Sequence, residues 1–226
     1  MIYFSTMSRG LTFQPEGFYH IYNRGTERRD VFISGSDYDR FISLLYLANN
    51  QQLLHRSNYQ GRTLPELLAL TRGETLVDVC AYCLMPNHFH LLVREHTENG
   101  ISKFMQKLMT GYTMYFNKLH ERTGALFQSK FKARDANDDS YLRYLISYIH
   151  LNPVKLVEPL WKEKGISDTD AVKEYLASYI RSSYLDFMGV ARAEGKILNM
   201  AVLPDYFAVP HDFETSVNEW LDYQNS

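Results

Sequence analysis

Residues 75–95 read TLVDVCAYCLMPNHFHLLVRE, two runs of β-favouring residues broken at Pro86-Asn87. Each run is long enough for a strand, and the turn-forming pair between them predicts two adjacent strands joined tightly. In the second run His88 and His90 are separated by one residue. A strand therefore sends both imidazoles out of one face, about 7 Å apart along the backbone. The first run holds Cys80 and Cys83, whose CxxC spacing is a redox or half-zinc signature only in a fitting context. In a buried strand, positions three apart point to opposite faces, and the chain has no other cysteine to complete a zinc site. Both thiols are expected to be core residues.

Upstream, FYHIYNRG (18–25) mixes aromatic and β-favouring residues and stops at Asn-Arg-Gly, which predicts a first strand ending in a turn. A helix follows, with Ser36 or Asp37 as its cap and Tyr38, Phe41, Leu44, Leu45 and Ala48 at helical spacing. Residues 49–73 are polar and then carry a short LPELLAL helix; they are expected to be a variable excursion rather than core. Downstream, Asn99-Gly100 opens a long amphipathic helix with Ile101, Phe104, Leu108, Tyr112 and Phe116 on its stripe, ending near Gly124. ALFQSKFKARDA (125–136) alternates as a strand whose Lys130, Lys132 and Arg134 share one face. Three such cations are either protection of a solvent-exposed edge or a phosphate track. A further helix begins at the cap cluster Asp138, Asp139 and Ser140 and must end about where Pro153 forbids its continuation.

The order strand, helix, strand, strand, helix, strand, helix is a split βαβ pattern with one extra helix. It predicts an α+β fold, an antiparallel sheet with helices on one face. Charge divides the chain after Leu156. Residues 1–156 hold 18 Lys and Arg against 14 Asp and Glu, a balance of +4, whereas residues 157–226 hold 6 against 12, a balance of −6. The first part is thus the one a polyanion favours, and 157–226 reads as a mostly helical, acidic appendage. At 226 residues and 45% hydrophobic composition the chain can bury a sizeable core. No window approaches the roughly 20 apolar residues of a membrane span, and MIYFSTMSRGLTFQPEG lacks the basic-then-apolar order of a signal peptide. A cytoplasmic location is expected. No Gly-rich phosphate loop points to a nucleotide cofactor.

Two neighbouring imidazoles are costly to bury unless something satisfies them, which favours a shared ion over two core histidines. Helix 139–156 supplies the complement: Tyr148 and Asn152 are four residues apart and lie on one face, a turn from each other. Tyr141 and Tyr144 lie nearly in line with Tyr148, so spacing alone does not choose among them; only Tyr148 has an amide at the following turn. A tyrosine hydroxyl can attack phosphorus and conserve the energy of the broken phosphodiester in a covalent ester. A divalent ion held by His88, His90 and the Asn152 amide oxygen would polarise the phosphate, and this mixed nitrogen and oxygen set suits Mg²⁺ or Mn²⁺.

The runs CLMPNHFHLLV (83–93), RTGALFQSKFKA (122–133) and YIHLNPVK (148–155), supported by HIYNRG (20–25) and RSSYLDFMG (181–189), resemble in order and spacing the REP-associated tyrosine transposases. These are relatives of the small single-tyrosine insertion-sequence transposases within the HUH endonucleases. The resemblance covers roughly residues 16–190. It implies a ferredoxin-like, RRM-like catalytic domain over residues 1–156. It also implies that His88 and His90 are the metal-binding histidines of the HUH motif, Tyr148 the nucleophile and Asn152 the third ligand. The implied activity is cleavage and rejoining of single-stranded DNA near hairpins through a 5′-phosphotyrosine. On that reading Lys130, Lys132 and Arg134 become phosphate contacts, joined by Arg24, Arg28 and Arg29. The insert WKEKGISDTDAVKEYLASYI (161–180) and the tail 191–226 depart from the pattern of many relatives and are expected to form a packed appendage.

Relatives of this kind occur as monomers and as homodimers, and both remain open for this chain. The alternative function is a domesticated protein that binds nucleic-acid hairpins without cutting. A small-phosphodiester hydrolase fits less well, because such enzymes usually bridge two metals with carboxylates that this site lacks.

Overall fold

Period-two alternation along four segments builds one antiparallel sheet in the computed structural model, which describes residues 11–52, 56–207 and 209–223. The strands are β1 (Phe18–Arg24), β2 (Val77–Met85), β3 (His88–Glu95) and β4 (Lys132–Asp135), in the spatial order β2-β3-β1-β4. Helices α1 (Gly35–Leu47) and α2 (Leu64–Leu68) connect β1 to β2, and α3 (Gly100–Leu119) connects β3 to β4. Every neighbouring pair is antiparallel, which gives the ferredoxin-like arrangement. Residues 1–10, on which the reading against a signal peptide partly rests, lie outside the described residues.

β2 and β3 are joined through Pro86-Asn87, with Met85 paired to His88. The Pro86 carbonyl accepts from the Val31 and Phe32 amides, which ties the turn to the segment leading into α1. That helix is capped by a reciprocal box between Ser34 and Asp37; the N-cap is Ser34 rather than the expected Ser36 or Asp37, and Asp37 is its N3 partner. The Glu95 carboxylate at the end of β3 accepts from the Gly100 and Ile101 amides at 3.0 and 2.8 Å, satisfying the first donors of α3. Gly100 is obligatory there, since a Cβ would stand 2.1 Å from the Leu76 carbonyl oxygen.

Among its buried residues, one face of the sheet is apolar except for Asn23 and Glu95 at its ends. Tyr19, Ile21, Val79, Leu84, Phe89, Leu91 and Val93 pack against Phe41 and Leu45 of α1 and Phe104, Leu108 and Tyr112 of α3. Each such side chain contributes roughly 1.5–3 kcal/mol by leaving water. Residues 49–73, expected outside the core, add Leu67 and Leu68 of α2 to it. Asn49 joins the same stretch to β2, accepting from the Leu76 and Val77 amides and donating to the Val77 carbonyl. The hydrophobic LPELLAL half of that stretch outweighs its polar beginning.

The extra helix α4 (Asp139–His150) lies on the opposite face, where Leu142, Leu145, Ile146 and Ile149 meet Leu92 of β3 and the apolar residues of β2. Asp138 caps it by accepting from the Tyr141 amide at 2.8 Å. Both cysteines belong to this second cluster, contrary to the expected opposite faces. The reason is a bulge: the β2–β3 register shifts between Val79 and Ala81, and the extra residue brings Cys80 to the side of Cys83.

Helices α5 (Trp161–Lys164), α6 (Thr169–Ser178), α7 (Tyr184–Phe187) and α8 (Pro210–Tyr223) complete the chain. Their Trp161, Val172, Leu176, Phe187, Phe213 and Val217 join the α4 cluster, so the apolar packing runs across the charge division at Leu156. The appendage also covers the free edge of β2: the Leu84 amide donates to the Arg181 carbonyl, the Ser183 amide to the Tyr82 carbonyl and the Asn199 amide to the Val79 carbonyl.

Candidate active site

Where α4 stops covering the second face, alternation leaves polar residues over a cavity of about 290 Å³. β1 contributes His20, Tyr22 and Arg24, the alternates of the buried Tyr19 and Ile21. β3 contributes His88 and His90, with His90 paired to Tyr22 and His88 to Arg24 across the ladder. β4 contributes Lys132 and Arg134, opposite Tyr22 and His20. From the helical side come Tyr141, Tyr148, Asn152 and Lys155.

The His88 and His90 rings stand 5.0 Å apart, nearly perpendicular. His88 Nδ1 lies 2.6 Å from Asn87 Oδ1, and His90 Nδ1 lies 2.8 Å from His20 Nε2. Burial, reinforced by the Arg24 and Lys155 cations, holds the His88 pKa down at about 4, and burial likewise lowers His20 to about 3 and His90 well below its ordinary value. All three are therefore neutral at neutral pH, the form in which imidazole binds a metal.

Tyr148 is set edge-on to His90, ring centroids 5.7 Å apart, and edge-on to His20 at 6.2 Å. Of the tyrosines that spacing alone left open, Tyr144 stacks on Tyr148 and meets Trp220 of α8 at 4.9 Å, while Tyr141 lies 4.2 Å beneath the Arg134 guanidinium. Burial pushes the Tyr148 hydroxyl up to about 12; its tyrosine neighbours add to this and Arg24 opposes it. Lys162 of α5 brings its ammonium 4.7 Å from the Tyr148 ring centre.

α4 ends at His150, and Asn152 opens a 3-10 turn over Asn152–Leu156. The Asn152 amide nitrogen donates to the Tyr148 carbonyl at 2.8 Å, which orients the side chain and leaves its oxygen for the cavity that it lines. Among the described residues no group of three His, Cys, Asp or Glu is placed to hold a metal ion. The donor set that fits one is mixed: two neutral imidazoles and one amide oxygen around a single cavity.

The expected cations divide. Arg24, Lys132 and Arg134 line the cavity, and Lys130, Arg28 and Arg29 are not among its lining residues. The strand expected over 125–136 is regular only over Lys132–Asp135: Asn23 donates to the Ser129 and Lys130 carbonyls at 2.8 and 3.0 Å where the ladder is interrupted, and pairing resumes as a bridge between Gly25 and Phe127. Lys130 is exposed outside the cavity. Arg29 is paired with Glu27 at 2.9 Å. Sequence reasoning missed His20, Tyr22, Lys155 and Lys162. The first two were detectable in principle, since alternation along FYHIYNR separates them from Tyr19 and Ile21.

Fold and cavity together define a ferredoxin-like domain with paired histidines on a central strand and a tyrosine-bearing helix laid over them. The chain belongs to the IS200-like transposase family: the family described as "Transposase IS200 like" matches residues 17–152, from just before β1 to Asn152. Its role is accordingly a transposase-type processing of DNA. The fold is similar to a solved REP-associated tyrosine transposase bound to a REP hairpin, with a TM-score of 0.51 and 11% identity, covering 83% of this chain and 90% of that one. No curated protein matches the sequence. Among the described residues no helix is long and apolar enough to cross a membrane.

Proposed function

We propose that this chain is a metal-dependent endonuclease and strand transferase for single-stranded DNA, cutting beside hairpins through a covalent 5′-phosphotyrosine on Tyr148. The observation that carries the reading is the edge-on approach of Tyr148 to His90 within the cavity that also takes His88 and Asn152. In the reaction the Tyr148 oxygen bonds to phosphorus, the bond from phosphorus to the 3′ oxygen breaks, and the phenolic proton ends on the departing 3′ hydroxyl. Rejoining is the same exchange in reverse, so no nucleotide cofactor is needed. A divalent ion, Mg²⁺ or Mn²⁺, would supply charge stabilisation at the scissile phosphate when held by His88, His90 and Asn152.

The chain's own residues do the remainder. Arg24, Lys132, Arg134 and Lys155 surround the cavity with positive charge that holds the phosphate backbone in place. Arg24 is also the neighbour that favours the Tyr148 phenolate. All four proposed site residues are brought together within a single chain, which supports a monomeric enzyme. The solved relative's REP hairpin supports a hairpin substrate. A cytoplasmic location fits such a substrate.

The test is incubation with Mn²⁺ and end-labelled hairpin DNA from the flanks of the gene, read on a denaturing gel. A protein-linked band that Tyr148→Phe abolishes is the expected result. An adduct that persists in Tyr148→Phe would move the nucleophile to Tyr144 or Tyr141. Retarded but uncut DNA with every ion tried would favour the hairpin-binding alternative.

A further inference from the structure

A histidine that binds an ion through Nε2 must carry its proton on Nδ1, and a buried N–H needs an acceptor. His88 meets this condition locally, because its Nδ1 faces the Asn87 amide oxygen, which can only accept. His90 has no such neighbour in sequence; its Nδ1 meets the Nε2 of His20, on the adjacent strand, at 2.8 Å. The two residues are not cross-strand partners, since His20 pairs with Leu92 and His90 with Tyr22, so the contact is a diagonal one fixed by the β1–β3 register. Both rings are buried, and their centroids stand 5.0 Å apart with the planes inclined by only 23°, as an in-plane contact between the two nitrogens requires.

We propose that His20 is a positioning residue for the metal site: its Nε2 accepts from His90 Nδ1–H, locks the His90 tautomer and ring angle, and so presents His90 Nε2 to the ion. The proposal rests on the reading of His90 as a ligand. His20 is not itself a ligand in this arrangement, because its Nε2 is engaged with the nitrogen of His90 that faces away from the ion. The roles of the two rings are therefore unequal although they lie side by side. Removing a partner of this kind typically weakens metal binding by about 10–100-fold.

The test measures Mn²⁺ affinity of the full chain by calorimetry, without DNA, for the unaltered protein, His90→Ala, His20→Leu and His20→Gln. His20→Leu fills the space without an acceptor and is expected to bind Mn²⁺ roughly 10–100-fold more weakly. His20→Gln keeps an acceptor oxygen near the Nε2 position and is expected to recover most of that loss. Unaltered Mn²⁺ affinity in a folded His20→Leu, alongside a loss in His90→Ala, would overturn the role of His20 and leave the metal site standing. No Mn²⁺ binding by the unaltered protein would overturn both. Should the leucine variant not fold, ¹⁵N ring shifts of the unaltered protein decide the matter: His90 protonated on Nδ1 and His20 on Nδ1 support the proposal, and the reverse tautomer of His90 refutes it.

Discussion

The two faces of the sheet are written in the same alternating code and end in different states. On one, α1 and α3 cover the whole surface, and nearly every alternate residue is aliphatic or aromatic. On the other, α4 and the appendage cover the β2 side, and the cover stops over β1, β3 and β4, where histidine, tyrosine and arginine take the same alternate positions. Chemistry sits at the edge of a core rather than apart from it. The apolar packing of Leu145, Ile146 and Ile149 fixes α4 and with it Tyr148, and Asn152, in the 3-10 turn that follows, is tied back to the Tyr148 carbonyl.

Adjacent residues of β3 give the sharpest way to break this contrast. His90→Ala is expected to abolish Mn²⁺-dependent cleavage while the chain still folds. Phe89→Ala, one position along and on the opposite face, is expected to cost about 3–5 kcal/mol of stability through lost burial and a cavity. Denaturant unfolding and the cleavage gel, run on both variants, separate the faces. Equal stability losses in the two would remove the distinction.

Acid should destabilise the second face first. His20, His88 and His150 have pKa values lowered by burial to about 3, 4 and 3. An unfolded chain protonates these groups below their ordinary value near 6.5, whereas the native one does not, so the unfolded state binds more protons. Stability therefore falls as pH drops from about 6.5 towards 4, the range set by these lowered values. Melting temperatures measured from pH 7 to pH 4.5 check this, and a flat profile would count against neutral burial of the histidines.

The smallest effects are expected from the phosphate contacts. Lys132→Ala and Arg134→Ala should each lower the salt dependence of single-strand binding by about 0.7 in log–log slope, with little sequence preference. Lys130→Ala, outside the cavity, should leave it nearly unchanged. A Lys130 effect as large as that of Lys132 would return all three cations to one track along the strand.

Much of the site was legible because its parts are local. The single residue between His88 and His90 fixes a shared face in any strand, and the four-residue step from Tyr148 to Asn152 fixes a shared face across a helical turn. Neighbouring identity also gave the tight turn at Pro86-Asn87 and the cap cluster Asp138, Asp139 and Ser140, of which Asp138 is the cap. The cysteines show where such reasoning stops: alternation put Cys80 and Cys83 on opposite faces, and one bulge reversed the answer. Lys130 shows the same limit: alternation put it beside Lys132 and Arg134, but the ladder is interrupted where Asn23, more than a hundred residues away in sequence, takes the Ser129 and Lys130 carbonyls, and Lys130 lies outside the cavity.

By itself, then, the sequence determined the element order, the antiparallel α+β class and the residues carrying the proposed chemistry, because periodicity within one element sets spacing and facing. Tertiary structure alone decided that α4 lies on the face opposite α1 and α3, that His20 meets His90, and that Lys162 of the appendage reaches the Tyr148 ring. Those contacts depend on strand register and on which apolar surfaces bury each other. Such choices are made by the whole chain at once and leave no mark at any single stretch of it.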